Sequence, residues 1–293
     1  MRRAEKTVAA IVVTYHTGPR LMECLYALGA QDGIAEIIII DNGNPASMQD
    51  RIKTFLGRRA ETGEASGQRV HYMQTPENLG FARAVNLGVK ESHASHLLVI
   101  NPDCVMRPDA LPFLLDASED LPSPWMVGGR IYDLTGTAQR GPRRQELTLR
   151  RALSKLIGGA GINLPLEPQP HDPVPVNVTS GAFFLMDRKG FDQIGGFDEN
   201  YFLHVEDIDL CKRVNMAGGK ILYQPKAGAL HYGATSNVSS LFVEKHKATG
   251  FARYFRKFAK GPFHRLAAEL CIPLIYAGLM MRAFLFGRPK PRQ

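Results

Sequence analysis

His96-Leu97-Leu98-Val99-Ile100-Asn101-Pro102-Asp103-Cys104 decides how this chain is read. Four apolar residues, two of them β-branched, run into Asn-Pro-Asp. The pattern predicts a buried strand that stops before a proline and delivers the Asp103 carboxylate at its C-terminal end. In open α/β sheets, ligands sit in the crevice beyond the carboxyl ends of the strands. Asp103 therefore stands where a ligand, or a metal ion bound with it, is expected.

Upstream, Thr7 to Thr14 is a short β-rich run, and Arg20 to Ala30 carries Leu21, Cys24, Leu25 and Leu28 at helical spacing. Four isoleucines, Ile37 to Ile40, show no alternation, as in a strand covered on both faces. They end in the turn cluster Asp41-Asn42-Gly43-Asn44-Pro45. Strand, helix and strand at this spacing predict a right-handed βαβ unit. Met48 to Leu56 reads as a helix, Arg58 to Gln68 as a loop, Val70 to Met73 as a strand, and Asn78 to Gly88 as the opening of another helix. Downstream, Trp125 to Tyr132 and Asn177 to Met186 read as strands. Between them, Thr135 to Pro175 is rich in Arg, Gly and Pro and reads as a mobile segment over the site. Arg188 to Ile194 is a short helix, Tyr201 to Gly218 is largely helical, and Lys220 to Gln224 is a strand with His231 beyond it.

The 293 residues are 44% hydrophobic and 22% charged, enough for one α/β domain plus an appendage. Cys24, Cys104, Cys211 and Cys271 are widely spaced, which disfavours a disulfide framework or zinc site and fits a reducing cytoplasm. No secretory signal is expected after Met1-Arg2-Arg3, because the apolar run from Val8 is short. The net charge of +8 is uneven: Lys245 to Gln293 carry eleven Lys/Arg against Glu269 alone, so the preceding residues are net negative. That distribution argues against a nucleic-acid-binding body. Phe251, Tyr254, Phe255 and Phe258 form an aromatic helical stripe interleaved with Arg253, Arg256, Lys257 and Lys260. Leu270 to Met281 is apolar but shorter than the roughly 20 residues a bilayer span needs. An interfacial or re-entrant helix on an anionic membrane surface is the expectation, with packing on the domain as the alternative.

Several polar residues punctuate the strand ends. Asp41 can accept hydrogen bonds from a base or ribose, though such residues often make an Asx turn. Asn78-x-Gly80 at a helix mouth can offer amides to an anion, with Arg83 one turn in, or can simply cap the helix. One carboxylate plus phosphate oxygens is the usual way Mg²⁺ is held, which suits Asp103. Glu206-Asp207-x-Asp209 has more acids than a helix cap needs, and one facing the cleft could take a proton from an attacking hydroxyl. His231 is a structural histidine or an imidazole ligand. No G-x-S-x-G, Walker A or G-x-G-x-x-G is present.

The order of these stretches is specific. It runs VVTYH (Val12 to His16), IIIIDNG (Ile37 to Gly43), ENLGFARAVNLG (Glu77 to Gly88), LLVINPDC (Leu97 to Cys104), SGAFFLMDRKGFDQIGGFDENYFLHVEDIDLCKRV (Ser180 to Val214) and HYGATS (His231 to Ser236). From about Val8 to Ser236 the chain closely resembles the family 2 glycosyltransferases, and within them the rhamnosyltransferase-like branch. The resemblance implies a GT-A fold: an α/β domain over about 1–243, with a Rossmann-like mixed central sheet flanked by helices. Its nucleotide-sugar half would span about 1–110 and its acceptor half about 111–243; the tail lies outside the resemblance, and its residues alone give the amphipathic and apolar C-terminal helices over 244–293. It implies an inverting, single-displacement transfer that depends on Mg²⁺ or Mn²⁺. Thr14, Tyr15, Asp41, Asn78, Gly80, Arg83, Asn101 and Asp103 would lie along the nucleotide-sugar. Ser180, Gly181 and Ala182 would lie on the acceptor side. Asp103 matches the last acid of the D-x-D motif, whose first position here is Asn101. Asp207 matches the catalytic base, with Glu206 as runner-up, and His231 would complete the metal site. The expected donor is dTDP-rhamnose and the expected acceptor a glycan or polyprenyl-linked glycan of the cell envelope. The expected place is the cytoplasmic face of the plasma membrane. A non-catalytic nucleotide-sugar-binding subunit is the alternative, motivated by Asn101.

Overall fold

The computed structural model describes residues 6–62, 67–233 and 238–286. Residues 234–236 of the last motif lie outside the described residues, as do 63–66 of the loop expected over Arg58 to Gln68, while its first residues, Arg58 to Thr62, are helical instead.

The first half is a parallel sheet. Strands β1 (Val8–Thr14), β2 (Ile34–Asp41), β3 (Arg69–Gln74) and β4 (His96–Ile100) lie in the order β3-β2-β1-β4. The connecting helices are α1 (Arg20–Gly29), α2 (Ala46–Thr62) and α3 (Phe81–Lys90). Every residue of β1 is buried. Ala9, Ile11, Ile38 and Ile40 pack with Val85 and Val89 of α3 on one face. Val8, Ala10, Ile37 and Ile39 pack with Leu21, Leu28 and Ile52 of α1 and α2 on the other. A sheet covered on both faces needs apolar residues at every position, which is why these runs do not alternate.

The second half turns the sheet mixed. It comprises β5 (Cys104–Met106), α4 (Ala110–Ala117), β6 (Trp125–Tyr132), α5 (Leu149–Leu156), β7 (Val174–Pro175), β8 (Phe183–Asp187), α6 (Arg188–Gln193), α7 (Glu206–Met216) and β9 (Lys220–His231). β8 runs antiparallel to β4, with Ile100 opposite Phe183, and β6, β9 and β5 follow outward.

Three expectations are revised here. β9 does not stop at Gln224; it continues to His231, because its last residues pair with β5, a strand too short to show in the sequence. α7 starts at Glu206, since His204 and Val205 take φ of +66° and +73° and interrupt any earlier helix. Thr135 to Pro175 is folded onto the domain. Arg144 bridges to Asn163 and Val178, and Thr148 caps α5 by accepting from the Arg151 amide. Its periodicity is weak because backbone pairing, with scattered anchors such as Leu147 and Ile162, holds it in place.

The C-terminal helices are α8 (Ser240–Lys257) and α9 (Gly261–Phe286). The aromatic stripe of α8 faces protein: Tyr254 and Phe255 are buried, with Phe251 and Phe258 packed against the same core. Two of the cations interleaved with it, Arg253 and Lys257, pair with acids of the domain, while Arg256 and Lys260 are exposed. Arg253 donates three hydrogen bonds to Asp198, at 3.1, 3.0 and 2.7 Å, and Lys257 reaches Asp198 and Asp209, each at 2.7 Å. The partners Asp198 and Asp209 are 48 to 59 residues away in sequence, so the stripe gave no sign of them. α9 is also longer than the apolar run predicted. It is a 26-residue helix with Pro273 inside it, long and apolar enough by length and composition to cross a membrane.

Candidate active site

The strand register brings Asp103 and His231 together. β5 pairs antiparallel with the end of β9, Cys104 stands opposite His231, and the Tyr232 amide donates to the Asp103 carbonyl at 3.1 Å. His231 Nε2 lies 3.4 Å from Asp103 Oδ1. The other ring nitrogen is committed. Gln139 Nε2 donates to the His231 carbonyl at 2.6 Å, so its Oε1, 2.7 Å from Nδ1, accepts the ring proton. In the neutral ring this tautomer leaves the Nε2 lone pair on the side of the Asp103 carboxylate. Two acceptors facing each other at that distance suit a cation between them, and hydrogen bonding at the remote nitrogen is how metal-ligating histidines are held. The Cys104 sulfur completes a group of ligand atoms within 4.8 Å of one another. Burial pushes the Cys104 thiol well above its ordinary range, so it stays protonated and is a poor ligand for a hard ion. Asp103 with His231 fits Mg²⁺ or Mn²⁺ completed by phosphate and water. Beside this corner, Tyr232 donates to Glu23 at 2.6 Å and carries Arg20 over its ring.

The end of β8 links this corner to Asp207. The Asn101 amide, one residue past β4, donates to the Ala182 carbonyl at 2.8 Å. The neighbouring Gly181 amide donates to Asp207 Oδ2 at 3.1 Å. The same carboxylate oxygen accepts from the Arg144 guanidinium at 2.6 Å, and Arg144 also donates to the Thr179 carbonyl. The segment from Gln139 to Arg144 thus spans both corners, with Gly141 packed against Ser180 between them. Ser180 Oγ accepts from the Ala182 amide.

Glu206 is buried and its neighbour Asp207 half-buried, and their environments divide them. Burial drives the Glu206 carboxyl well above its ordinary range, reinforced by the charge of Asp207. Glu206 Oε2 has no hydrogen-bond partner among the described residues. Burial opposes ionisation of Asp207 as well, but Arg144 and the Gly181 amide outweigh it and hold that carboxyl below its ordinary range. One proton therefore rests on Glu206 and the negative charge on Asp207. The turn that aims them is strained: left-handed φ is unusual for any non-glycine residue and more so for a β-branched one such as Val205. Gly250 of α8 seats directly on it; a Cβ there would lie 2.9 Å from Val205 Cγ2.

The remaining sequence candidates cluster at the ends of β1 and β2. Asp41 Oδ1 accepts from the Gly43 and Asn44 amides at 3.1 and 2.7 Å, and Oδ2 from the Tyr72 hydroxyl at 2.7 Å. Thr14 is buried against Asn44, and the Tyr15 ring lies over Gly43. The amides expected to cradle an anion at Asn78-x-Gly80 are taken. Leu79 N–H goes to Asn42, Gly80 N–H to Asn78 Oδ1, and Phe81 N–H to the Phe202 carbonyl. The capping alternative holds for these three amides, and it locks the loop to the acceptor half. Gly80 has φ +79°, and a Cβ would meet the Phe202 carbonyl at 2.5 Å. Arg83 is half-exposed and 3.9 Å from Glu199. Gln139, Arg144 and Glu23 were not singled out from the sequence. The Arg143-Arg144 pair was the available signal, a cation for a buried acid that needs one.

Residues 9–195 match the family model described as glycosyl transferase family 2. The chain belongs to that family. It is 30% identical over 266 residues to the N-acetylglucosaminyl-diphospho-decaprenol L-rhamnosyltransferase of Mycobacterium tuberculosis, covering 82% of this chain and 81% of that one. It is 26% identical over 270 residues to the rhamnosyltransferase WbbL of Escherichia coli K12, covering 89% and 93%. Among solved structures, GalNAc-T7 with UDP, GalNAc and Mn²⁺ superposes with a TM-score of 0.65 at 15% identity, over 87% of this chain and 48% of that one. The mannosyltransferase PcManGT of Pyrobaculum calidifontis, in complex with GDP-Man and Mn²⁺, gives 0.59 at 18% identity, over 97% and 76%. The fold of this family 2 glycosyltransferase is GT-A, as the sequence resemblance implied.

Proposed function

We propose that this glycosyltransferase moves rhamnose from dTDP-rhamnose to a polyprenyl-diphosphate-linked N-acetylglucosaminyl acceptor, with inversion, at the cytoplasmic face of a membrane. What carries the mechanism is the Asp207 carboxylate held by Arg144 and the Gly181 amide, tied through Ala182 and Asn101 to the corner that holds Asp103 and His231. The rhamnosyltransferase relatives support the sugar, and the M. tuberculosis enzyme's name supports the acceptor class.

In this reading Asp207 is the base. The acceptor hydroxyl attacks the anomeric carbon as the bond to the nucleoside diphosphate breaks, and its proton passes to Asp207 Oδ1 or Oδ2. Glu206, already carrying a proton, cannot take that role. Arg144 and the Gly181 amide fix the Asp207 carboxylate and keep it charged near neutral pH. Asp103 and His231 would hold Mg²⁺ or Mn²⁺, which neutralises charge on the departing diphosphate when bound. Gln139 holds His231 in the ligating tautomer. Thr14, Tyr15 and Asp41 stand at the strand ends where the nucleoside would lie, and Ser180 to Ala182 line the acceptor side. The Mn²⁺-containing structural relatives support a divalent ion of this kind.

The test is nucleoside-diphosphate release from dTDP-, UDP- and GDP-sugars, with and without Mn²⁺, in the presence of a short-chain polyprenyl-diphosphate N-acetylglucosamine. Metal-dependent dTDP release that needs the acceptor is expected. Equal release from another donor, or none without a different acceptor, would overturn the assignment.

A further inference from the structure

α8 and α9 form one hairpin, and among the described residues its long exposed apolar stripe lies on α9, with Leu241 and Phe242 exposed at the start of α8. Phe263, Leu266, Leu270, Leu274, Met281 and Phe284 follow one another along that side, and the end residues Phe263 and Phe284 are 87% and 88% exposed. At 1.5 Å per residue the stripe is about 30 Å long. The opposite face is committed to protein: Ala268, Ile275, Leu279 and Ala283 are buried, and Gly278 seats on Leu156 of α5. A helix docked along one side cannot span a bilayer alone without giving up that packing.

We propose that α9 lies in the plane of an anionic bilayer, with the Phe263–Phe284 stripe in the headgroup–acyl boundary and α8 kept away from lipid. Charge selects this occupant. Lys260, Arg265 and Arg282 are exposed on the same hairpin, off the apolar stripe, and the sequence continues with Arg288, Lys290 and Arg292. The acid on the helix, Glu269, is neutralised by Arg256 at 2.7 Å. Cations flanking an apolar helical face suit anionic headgroups, whereas a second copy of this chain would bring the same cations against them. The placement also serves the acceptor. Lys247 of α8, 3.9 Å from Glu244, lies in the field of Arg282 as well as of Arg144 and Asp207. Lys247 thus stands within electrostatic reach of both the C-terminal end of α9 and the proposed base. The last point rests on the proposed lipid-linked acceptor; the membrane surface itself does not.

The test is flotation of the full chain with phosphatidylcholine vesicles, with or without phosphatidylglycerol, for wild type and Leu270→Glu/Leu274→Glu. Light scattering of both without lipid, and turnover on a short-chain soluble acceptor, accompany it. Wild type should float with the anionic vesicles. The double variant should lose that by about tenfold or more, since two apolar anchors become charged, with unchanged mass and unchanged soluble turnover. Phe263→Ser/Phe284→Ser, at the stripe's two ends, should lose part of it. Undiminished flotation of both variants would overturn the proposal. So would a wild-type dimer that the double variant splits, because a second copy would then cover the stripe. Absent turnover in every protein alongside intact flotation would sink the proposed reaction while leaving this surface in place.

Discussion

The two carboxylates of the site are held in opposite ways. Asp103 sits at a strand end, beside an imidazole whose lone pair is turned toward it. Asp207 sits at a helix start, neutralised by a guanidinium and an amide from outside the helix. The first corner sets a carboxylate and an imidazole nitrogen side by side and suits an incoming cation. The second already has its cation and suits an incoming proton. The difference teaches that equal acidity in the sequence conceals a division of labour set by neighbours far along the chain.

Substituting each corner should separate the two roles. Asp207→Asn should lower kcat by about 10²- to 10⁴-fold, the usual contribution of a general base, while Mn²⁺-dependent binding of dTDP persists in calorimetry. Gln139→Leu frees His231 Nδ1 without removing a ligand. Metal affinity should fall by about 10- to 100-fold, the usual cost of removing such a hydrogen bond, with kcat at saturating Mn²⁺ near wild type. Arg144→Gln removes the charge that keeps Asp207 ionised. The acidic limb of the pH–rate profile should move up by about one unit or more, a shift that a merely structural role for Arg144 would not produce.

Two smaller effects concern stability. Gly80→Ala should cost about 1–3 kcal/mol in denaturant unfolding, from the left-handed backbone and the contact with the Phe202 carbonyl. Glu206→Gln tests the proton directly. A carboxyl whose pKa is raised by folding stabilises the native state below its unfolded pKa, and that contribution is lost as pH rises through the folded value. Wild-type Tm should therefore fall relative to the Gln variant as pH rises above the ordinary 4.5 of a glutamate. A constant difference would place the proton elsewhere.

The parallel half of the sheet was legible because its strands are buried on both faces, and the isoleucines of β2 announce that without alternation. Asp103 was legible because Pro102 ends the strand beside it. Its partner histidine was suspected but unplaced, since the three residues of β5 that align Cys104 with His231 leave no pattern. Arg144 was hidden in a segment organised by backbone bridges, where side-chain periodicity says little. Asp207 and Glu206 read alike because desolvation depends on tertiary burial. The aromatic stripe of α8 and the apolar length of α9 were both visible. What they face was not, because the acids that draw α8 inward, Asp198 and Asp209, belong to the α7 region.

The most direct test of the division between the corners is a parallel calorimetric titration of dTDP with Mn²⁺ into Asp103→Asn and Asp207→Asn, with turnover measured on the same samples. The account predicts that Asp103→Asn loses the Mn²⁺-dependent part of binding, and that Asp207→Asn binds like wild type yet turns over at about 1% or less. Full turnover by Asp207→Asn, or Mn²⁺-dependent binding untouched by Asp103→Asn, would contradict it.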